Sequence, residues 1–257
     1  MKETLDVDKP IEVAEDIYWI GWAEKEGAFR SNPYLIKDGD EVVLIDPGSI
    51  PHFPIVLEKV VQIAPLKNIK YIILHHQDPD LCSNTPKFEE MVYGLGGSLK
   101  IVTHSRAWFL IPFYGTRSEY YRVDENGWKL TLKSGRTLRF IFTPYLHFPG
   151  AIMTYDEKSK VLFSSDVFGG ISYDWDLYAK EWYIEAVKAF HENYMAHHDY
   201  LKNAMEKLER LDISMICPQH GSIIPKDKVK TYIAALKNLP CGSFAGEVDD
   251  LAWLERR

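Results

Sequence analysis

The sequence predicts an α+β fold of two strand-rich halves, each supplying helices to the outside. Three observations carry this. Runs rich in β-branched and aromatic residues, broken by turn residues, fill the first 50 residues and the stretch from about Tyr120 to Ser165. Segments with apolar residues at helical spacing follow each half. No Pro/Gly/Ser-rich linker divides the chain, so residues 1–257 are expected to form one domain.

The elements follow in order. "DIYWIGWA" and "NPYLIKDGDEVVLIDPG" read as strands, with Asp38 and Gly39 at a hairpin-like turn. "PIVLEKVVQIAP" has helical periodicity, Pro54 in its first turn and Pro65 beyond its end. "IKYIIL" is a short, continuously apolar strand, and "NTPKFEEMVYGL" is a helix after it. "LKIVTH" is a strand and "SRAWFLIPFYG" a helix or turn. "WKLTLKSGRTLRFIFTP" turns at Ser134 and Gly135, and "GAIMTYDEKSKVLFSSD" turns between Asp156 and Ser159. One long helix is expected over roughly Lys180 to Leu211, then the strand "ISMICP", the loop "QHGSI" and a last helix from about Lys226 to Leu239.

Composition narrows the partners. With 46% hydrophobic residues and no low-complexity tract, the chain is a folded globular protein. Its net charge is −7 and its Lys and Arg residues are scattered, so nucleic acid and anionic membrane surfaces are not expected partners. The three cysteines are far apart and form no CxxC pair, which argues against a zinc ribbon, an iron–sulfur module or a disulfide framework within the chain. "MKETLDVDKP" lacks the apolar core of a signal peptide, and no apolar run approaches the roughly 20 residues that span a bilayer. A cytoplasmic protein with a small ligand is expected.

The chemistry concentrates where apolar strands stop. In "LHHQDPDL", His76, Asp78 and Asp80 alternate, so in a tight loop their side chains can converge while His75, Gln77 and Pro79 face elsewhere. A polar loop around a satisfied core histidine is the plain alternative. Three further strand ends carry a ligand type: His147 in "YLHFPG", Asp166 in "VLFSSDVFGG" and His220 in "ICPQHGSI". Three histidines and three aspartates gathered there need a compensating cation, because buried carboxylates without one are costly.

In this order the motifs resemble the metallo-β-lactamase superfamily, and most closely the di-iron domain of flavodiiron proteins and stand-alone oxygen-binding di-iron proteins. The similarity spans almost the whole chain, including "NPYLIKDGDEVVLID". It implies a four-layer αβ/βα sandwich of two mixed β-sheets flanked by helices. It also implies two iron ions: His76, Asp78 and His147 on one, Asp80 and His220 on the other, and Asp166 bridging. The hydrolases of the superfamily carry H-x-H-x-D-H. Asp78 stands where they have a second His and flavodiiron proteins have Glu, and its hard oxygen favours iron or manganese while still accepting zinc.

The departures shape the expected function. Leu81 replaces the motif's last His, which leaves the second metal a nitrogen short: either an open coordination position or a decayed site. His191, in "FHENYMAHHDYL", falls beside the metals in similar proteins and is a candidate to ligate, to donate a hydrogen bond to bound oxygen or to shuttle a proton. His197 and His198 read as a solvated helix face, and Cys82 and Cys217 as buried, inert thiols. Flavodiiron proteins continue into an FMN-binding domain; no FMN site is expected here, so an electron donor or a signalling protein would act in trans. The expected function is to bind, and in an oxidoreductase role to reduce, O2 or NO; the alternative is a metal-dependent hydrolase. The resemblance also suggests a homodimer.

Overall fold

The computed structural model describes residues 5–23 and 27–242, and its strands assemble into two mixed sheets. The first contains β1 (Ile11–Ala14), β2 (Ile17–Trp19), β3 (Tyr34–Asp38), β4 (Glu41–Ile45), β5 (Ile69–Ile73), β6 (Lys100–Thr103) and β7 (Glu119–Arg122), side by side in chain order. Pairing is antiparallel from β1 to β4 and parallel from β4 to β7. Asp38 pairs with Glu41, so the β3–β4 turn is Gly39–Asp40, and Gly39 takes the positive φ of 60° that such a turn requires.

The second sheet is built from β8 (Lys129–Thr131), β9 (Thr137–Phe142), β10 (Ile152–Asp156), β11 (Val161–Phe163), β12 (Met215–Cys217) and β13 (Ile224–Pro225). Only β11 and β12 run parallel. The helices are α1 (Phe53–Ile63), α2 (Pro79–Cys82), α3 (Thr85–Gly94), α4 (Ser105–Trp108), α5 (Tyr183–Tyr194), α6 (His198–Leu208) and α7 (Lys226–Lys237).

The two-residue period of the strands sorts the core into layers. In β4, Val43 and Ile45 face the second sheet, meeting Leu138, Phe140, Ile152 and Phe163. Val42 and Leu44 face the other way, onto Val56 and Val60 of α1 and Phe88 and Val92 of α3. Beneath the second sheet, Met153, Leu162 and Ile216 meet Val187 and Phe190 of α5, Leu201 and Met205 of α6 and Ile233 of α7. The result is the expected four-layer αβ/βα sandwich. Among the described residues no helix is long and apolar enough to cross a membrane.

The sequence prediction of one helix over roughly 180–211 is corrected: α5 and α6 are separate. Met195 (ψ 140°) and His197 (φ −166°, ψ 147°) are extended, and the His197 ring accepts a hydrogen bond from Asp199 N–H, capping α6. His197 and His198 therefore begin a new helix instead of continuing the face of His191. The edge strand β1 was not foreseen. Cys82 and Cys217 are buried thiols, as expected. The tail read after the last helix falls mostly in residues 243–257, outside the described residues.

Candidate metal centre

All six candidate ligands sit just beyond the carboxyl ends of strands, where backbone pairing stops and side chains can turn into the cleft between the sheets. His76, Asp78 and Asp80 follow β5, His147 follows β9, Asp166 follows β11 and His220 follows β12. Asp78 is the extended residue before Pro79 opens α2. Parallel pairing brings Phe163 opposite Cys217, and Asp166 and His220 are each the third residue after that pair. Gln219 N–H donates to Ser165 O at 2.8 Å, which holds these two loops together.

Two groups of donors result, joined by one carboxylate. Ligand atoms of His76, Asp78 and His147 all lie within 4.8 Å of one another. His147 Nε2 is 3.1 Å from Asp78 Oδ2 and 2.9 Å from Asp166 Oδ2. His76 Nε2 is 3.5 Å from Asp78 Oδ2 and 3.6 Å from Asp166 Oδ2. On the other side, His220 Nε2 is 3.4 Å from Asp80 Oδ2 and 3.5 Å from Asp166 Oδ1. Asp166 thus directs one oxygen to each group.

The surrounding hydrogen bonds orient the rings. A carbonyl only accepts, so the 2.8 Å contact of His220 Nδ1 with Arg30 O places the proton on Nδ1 and leaves the Nε2 lone pair for the cleft. His76 Nδ1 lies 3.0 Å from Ser165 Oγ, again with Nε2 facing the carboxylates. Gln77 Nε2 donates to Asp78 Oδ1 at 2.7 Å, leaving Oδ2 toward the histidines. Behind this layer, His75 is fully buried between Asp46 Oδ2 at 2.5 Å and Thr154 Oγ1 at 2.9 Å, a support rather than a ligand.

Strain gathers at the same loops. Asp46 (φ 47°), Tyr145 (φ 63°), Ser165 (φ 56°) and Phe168 (φ 68°) all have left-handed backbone, a conformation that costs bulky residues roughly 1–3 kcal/mol and persists where the surroundings over-determine it.

Electrostatics explain what the donor set demands. Burial would push the pKa of Asp166 up, but His76, His147 and His220 outweigh it and hold the carboxyl well below its usual range. Burial would raise Asp78 too, but His147 and His76 outweigh it and lower the carboxyl, whereas burial wins at Asp80 and raises it. Burial lowers an imidazole's pKa, yet Asp166 and Asp78 lift His147 to about 10, and carboxylates also raise His76 and His220. Without a metal, protons do the neutralising. Among the six candidate ligands one atom is left over: Asp166 Oδ1 is buried and has no hydrogen-bond partner among the described residues. A cation between Asp166, Asp80 and His220 would satisfy it, while the donors close enough together to hold a metal among the described residues are His76, Asp78 and His147.

His191 does not offer a free nitrogen. It is fully buried; Nδ1 donates to Val187 O at 2.7 Å and Nε2 accepts from Phe168 N–H at 3.0 Å. Both ring positions are used by backbone, and burial lowers its pKa to about 4. The ring ties the loop that follows Asp166 instead of entering the cleft. Leu81 is also fully buried, packed in the apolar layer with Leu44, Phe53 and Phe88.

Two residues were missed by sequence reasoning. Phe29 lies with its ring 4.4 Å from that of His220, and Tyr194 stands edge-on to His147 at 4.9 Å. Both are about half exposed and rim the donors. Tyr194 follows His191 by three positions, a helical spacing that could have flagged it; Phe29 carried no signal.

Comparisons with known proteins agree with this architecture. A solved structure of the chemotaxis sensor ODP, described as a peroxy di-iron species, is similar at 27% identity and a TM-score of 0.75, covering 89% of this chain and 98% of that one. The flavodiiron protein from Giardia intestinalis shares the fold at 24% identity and a TM-score of 0.79, covering 93% of this chain and 60% of its own. Among curated proteins, a nitric oxide reductase of Moorella thermoacetica is 23% identical over 86% of this chain and 59% of its own length. The chain spans about half the length of the curated relatives it matches. A family model described as ODP family beta lactamase matches residues 29–221, a span that holds all six candidate ligands, and this chain belongs to that family.

Proposed function

We propose that the chain is a non-haem di-iron protein that binds O2 or NO at the cleft, in a sensing role or as an oxidoreductase. His76, Asp78 and His147 hold one iron, Asp80 and His220 the other, and Asp166 lies between them. The observation that carries this is Asp166, whose two oxygens face separate histidine groups while one of them has no other partner in a buried site. Iron held this way would supply electrons and a coordination position to a diatomic gas. The residues do the rest. Three carboxylates offset most of the charge of two divalent ions, the backbone-anchored His220 keeps its lone pair inward, and the rings of Phe29 and Tyr194 rim the donors and limit water. Because the ligands come from strands of both sheets, the centre needs the two halves packed as one domain.

The likeness to a di-iron gas sensor and to a nitric oxide reductase supports this reading over hydrolysis, as does Asp78 in a place where the hydrolases carry His. A redox or signalling partner in trans is part of the proposal. The test is anaerobic purification with ferrous iron, metal counting, and the absorption spectrum on adding air or NO. About two irons per chain and a new charge-transfer band are expected; zinc as the retained metal, with no spectral response to either gas, would sink it.

A further inference from the structure

Gln219 is buried beside the second half of the centre with one amide atom engaged and the other idle. Its Nε2 donates to Asp80 Oδ2 at 2.9 Å, and this same oxygen lies 3.4 Å from His220 Nε2. Gln219 is only 2% exposed, and its Oε1 accepts no hydrogen bond among the described residues. A buried polar atom left unpaired costs about 1–3 kcal/mol, so it calls for an explanation. The other orphan at this half is Asp166 Oδ1, 3.5 Å from His220 Nε2. Both unpartnered oxygens belong to residues in contact with the Asp80–His220 pair, the half that the motif leaves one ligand short.

We propose that Gln219, through Oε1, is a ligand of the second metal, taking the coordination place that Leu81 cannot fill. The inference rests on the di-metal reading above. Oxygen ligands sit about 2.0–2.2 Å from such ions, so two of them at right angles lie about 3 Å apart. The 2.9 Å between the Gln219 amide and Asp80 Oδ2 is that separation. Half a turn about Cγ–Cδ exchanges the two amide atoms and brings Oε1 to where Nε2 stands. No acceptor bond at Oε1 resists the turn, and its cost is the one hydrogen bond to Asp80, whose oxygen then binds the metal instead. The backbone does not move: Gln219 N–H donates to Ser165 O at 2.8 Å and Gln219 O accepts from Asn32 N–H at 2.6 Å. Gln77 makes the contrast. Its Oε1 is idle as well, but its amide touches Asp78 Oδ1, not the Oδ2 that faces the histidines, so it tethers a ligand without lying in the ligand set.

The full-length chain, metal-free, is titrated anaerobically with ferrous iron, and separately with cobalt(II), whose visible bands report coordination number. In wild type two ions bind. Gln219→Leu weakens the second ion at least about tenfold and leaves the first unchanged, and the cobalt bands shift toward lower coordination at the second ion alone. Gln219→Glu, which keeps an oxygen at this place and adds charge, binds the second ion more tightly than wild type. This variant carries the test if Gln219→Leu does not fold. Wild-type binding in both variants overturns the proposal, and so does weakening in Gln219→Glu, because a residue acting only as an N–H donor to Asp80 would fail there. Fewer than two ions in wild type would instead remove the di-metal reading, and this inference with it.

Discussion

The imidazole of His191 accepts the backbone N–H of Phe168 at 3.0 Å while donating to Val187 O at 2.7 Å, so one side chain links helix α5 to the loop just past Asp166. Phe168 itself is held at φ 68°, and Tyr183 Oη donates to its carbonyl. His191→Ala would leave a cavity and strand the buried Phe168 N–H. We expect a loss of about 2–4 kcal/mol in urea unfolding, and weaker metal retention because the Asp166 loop loosens. Unchanged stability with abolished gas binding would instead place the ring in contact with the bound ligand.

The same ring sets an acid limit. Its pKa is lowered to about 4 from the ordinary 6.5, chiefly by burial. A lowered imidazole is neutral in the folded state while the unfolded chain takes up a proton. Its contribution is therefore intact above pH 6.5 and lost as pH falls toward about 4, up to about 3 kcal/mol in all. Unfolding measured across this window for wild type and His191→Gln should differ in slope, with the wild type steeper. Parallel curves would mean that the ring is protonated in the folded protein.

How much of this was legible in the sequence depends on whether a residue's type or its direction carries the information. The six candidate donors were legible because they stand where apolar strands stop, in side chains that no turn requires, and the sandwich brings those four strand ends together. His191 was not: a histidine on the buried face of a helix looks the same whether it reaches a metal or a carbonyl one turn back. The α5–α6 break was hidden because apolar spacing continues across it, and only the local His197–Asp199 cap ends the run. Leu81 was read as a gap in the metal site. Four residues of helix α2 are too few for periodicity to give direction, and the side chain in fact enters the layer under α1 and α3.

That direction changes what Leu81→His should do. Burying a leucine contributes about 1.5–3 kcal/mol, and an imidazole in its place would also need hydrogen-bond partners among Leu44, Phe53 and Phe88. We expect destabilisation of about 2–4 kcal/mol in urea, with the number of bound ions unchanged. A second ion held more tightly than in wild type would show that the new ring leaves the apolar layer for the cleft.

The metal-free centre should also limit stability on the alkaline side. Burial lowers His147, but Asp166 and Asp78 outweigh it and raise the ring to about 10, and His76 and His220 are raised as well. A raised imidazole contributes stability that is fully present below the unfolded value of 6.5 and is lost as pH climbs through its folded value. Metal-free protein should therefore weaken between about pH 6.5 and 10, opposite in sign to the His191 window, so that the two effects meet in a stability maximum near pH 6.5. A metal ion takes over from the protons, since its ligands must be neutral imidazole and carboxylate. Ferrous loading at pH 7.5 in a weakly buffered indicator solution should release protons, and the alkaline slope should flatten in the loaded protein. If loading released none and the metal-free slope were already flat, the histidines would be neutral beforehand and the three carboxylates would need another counter-charge.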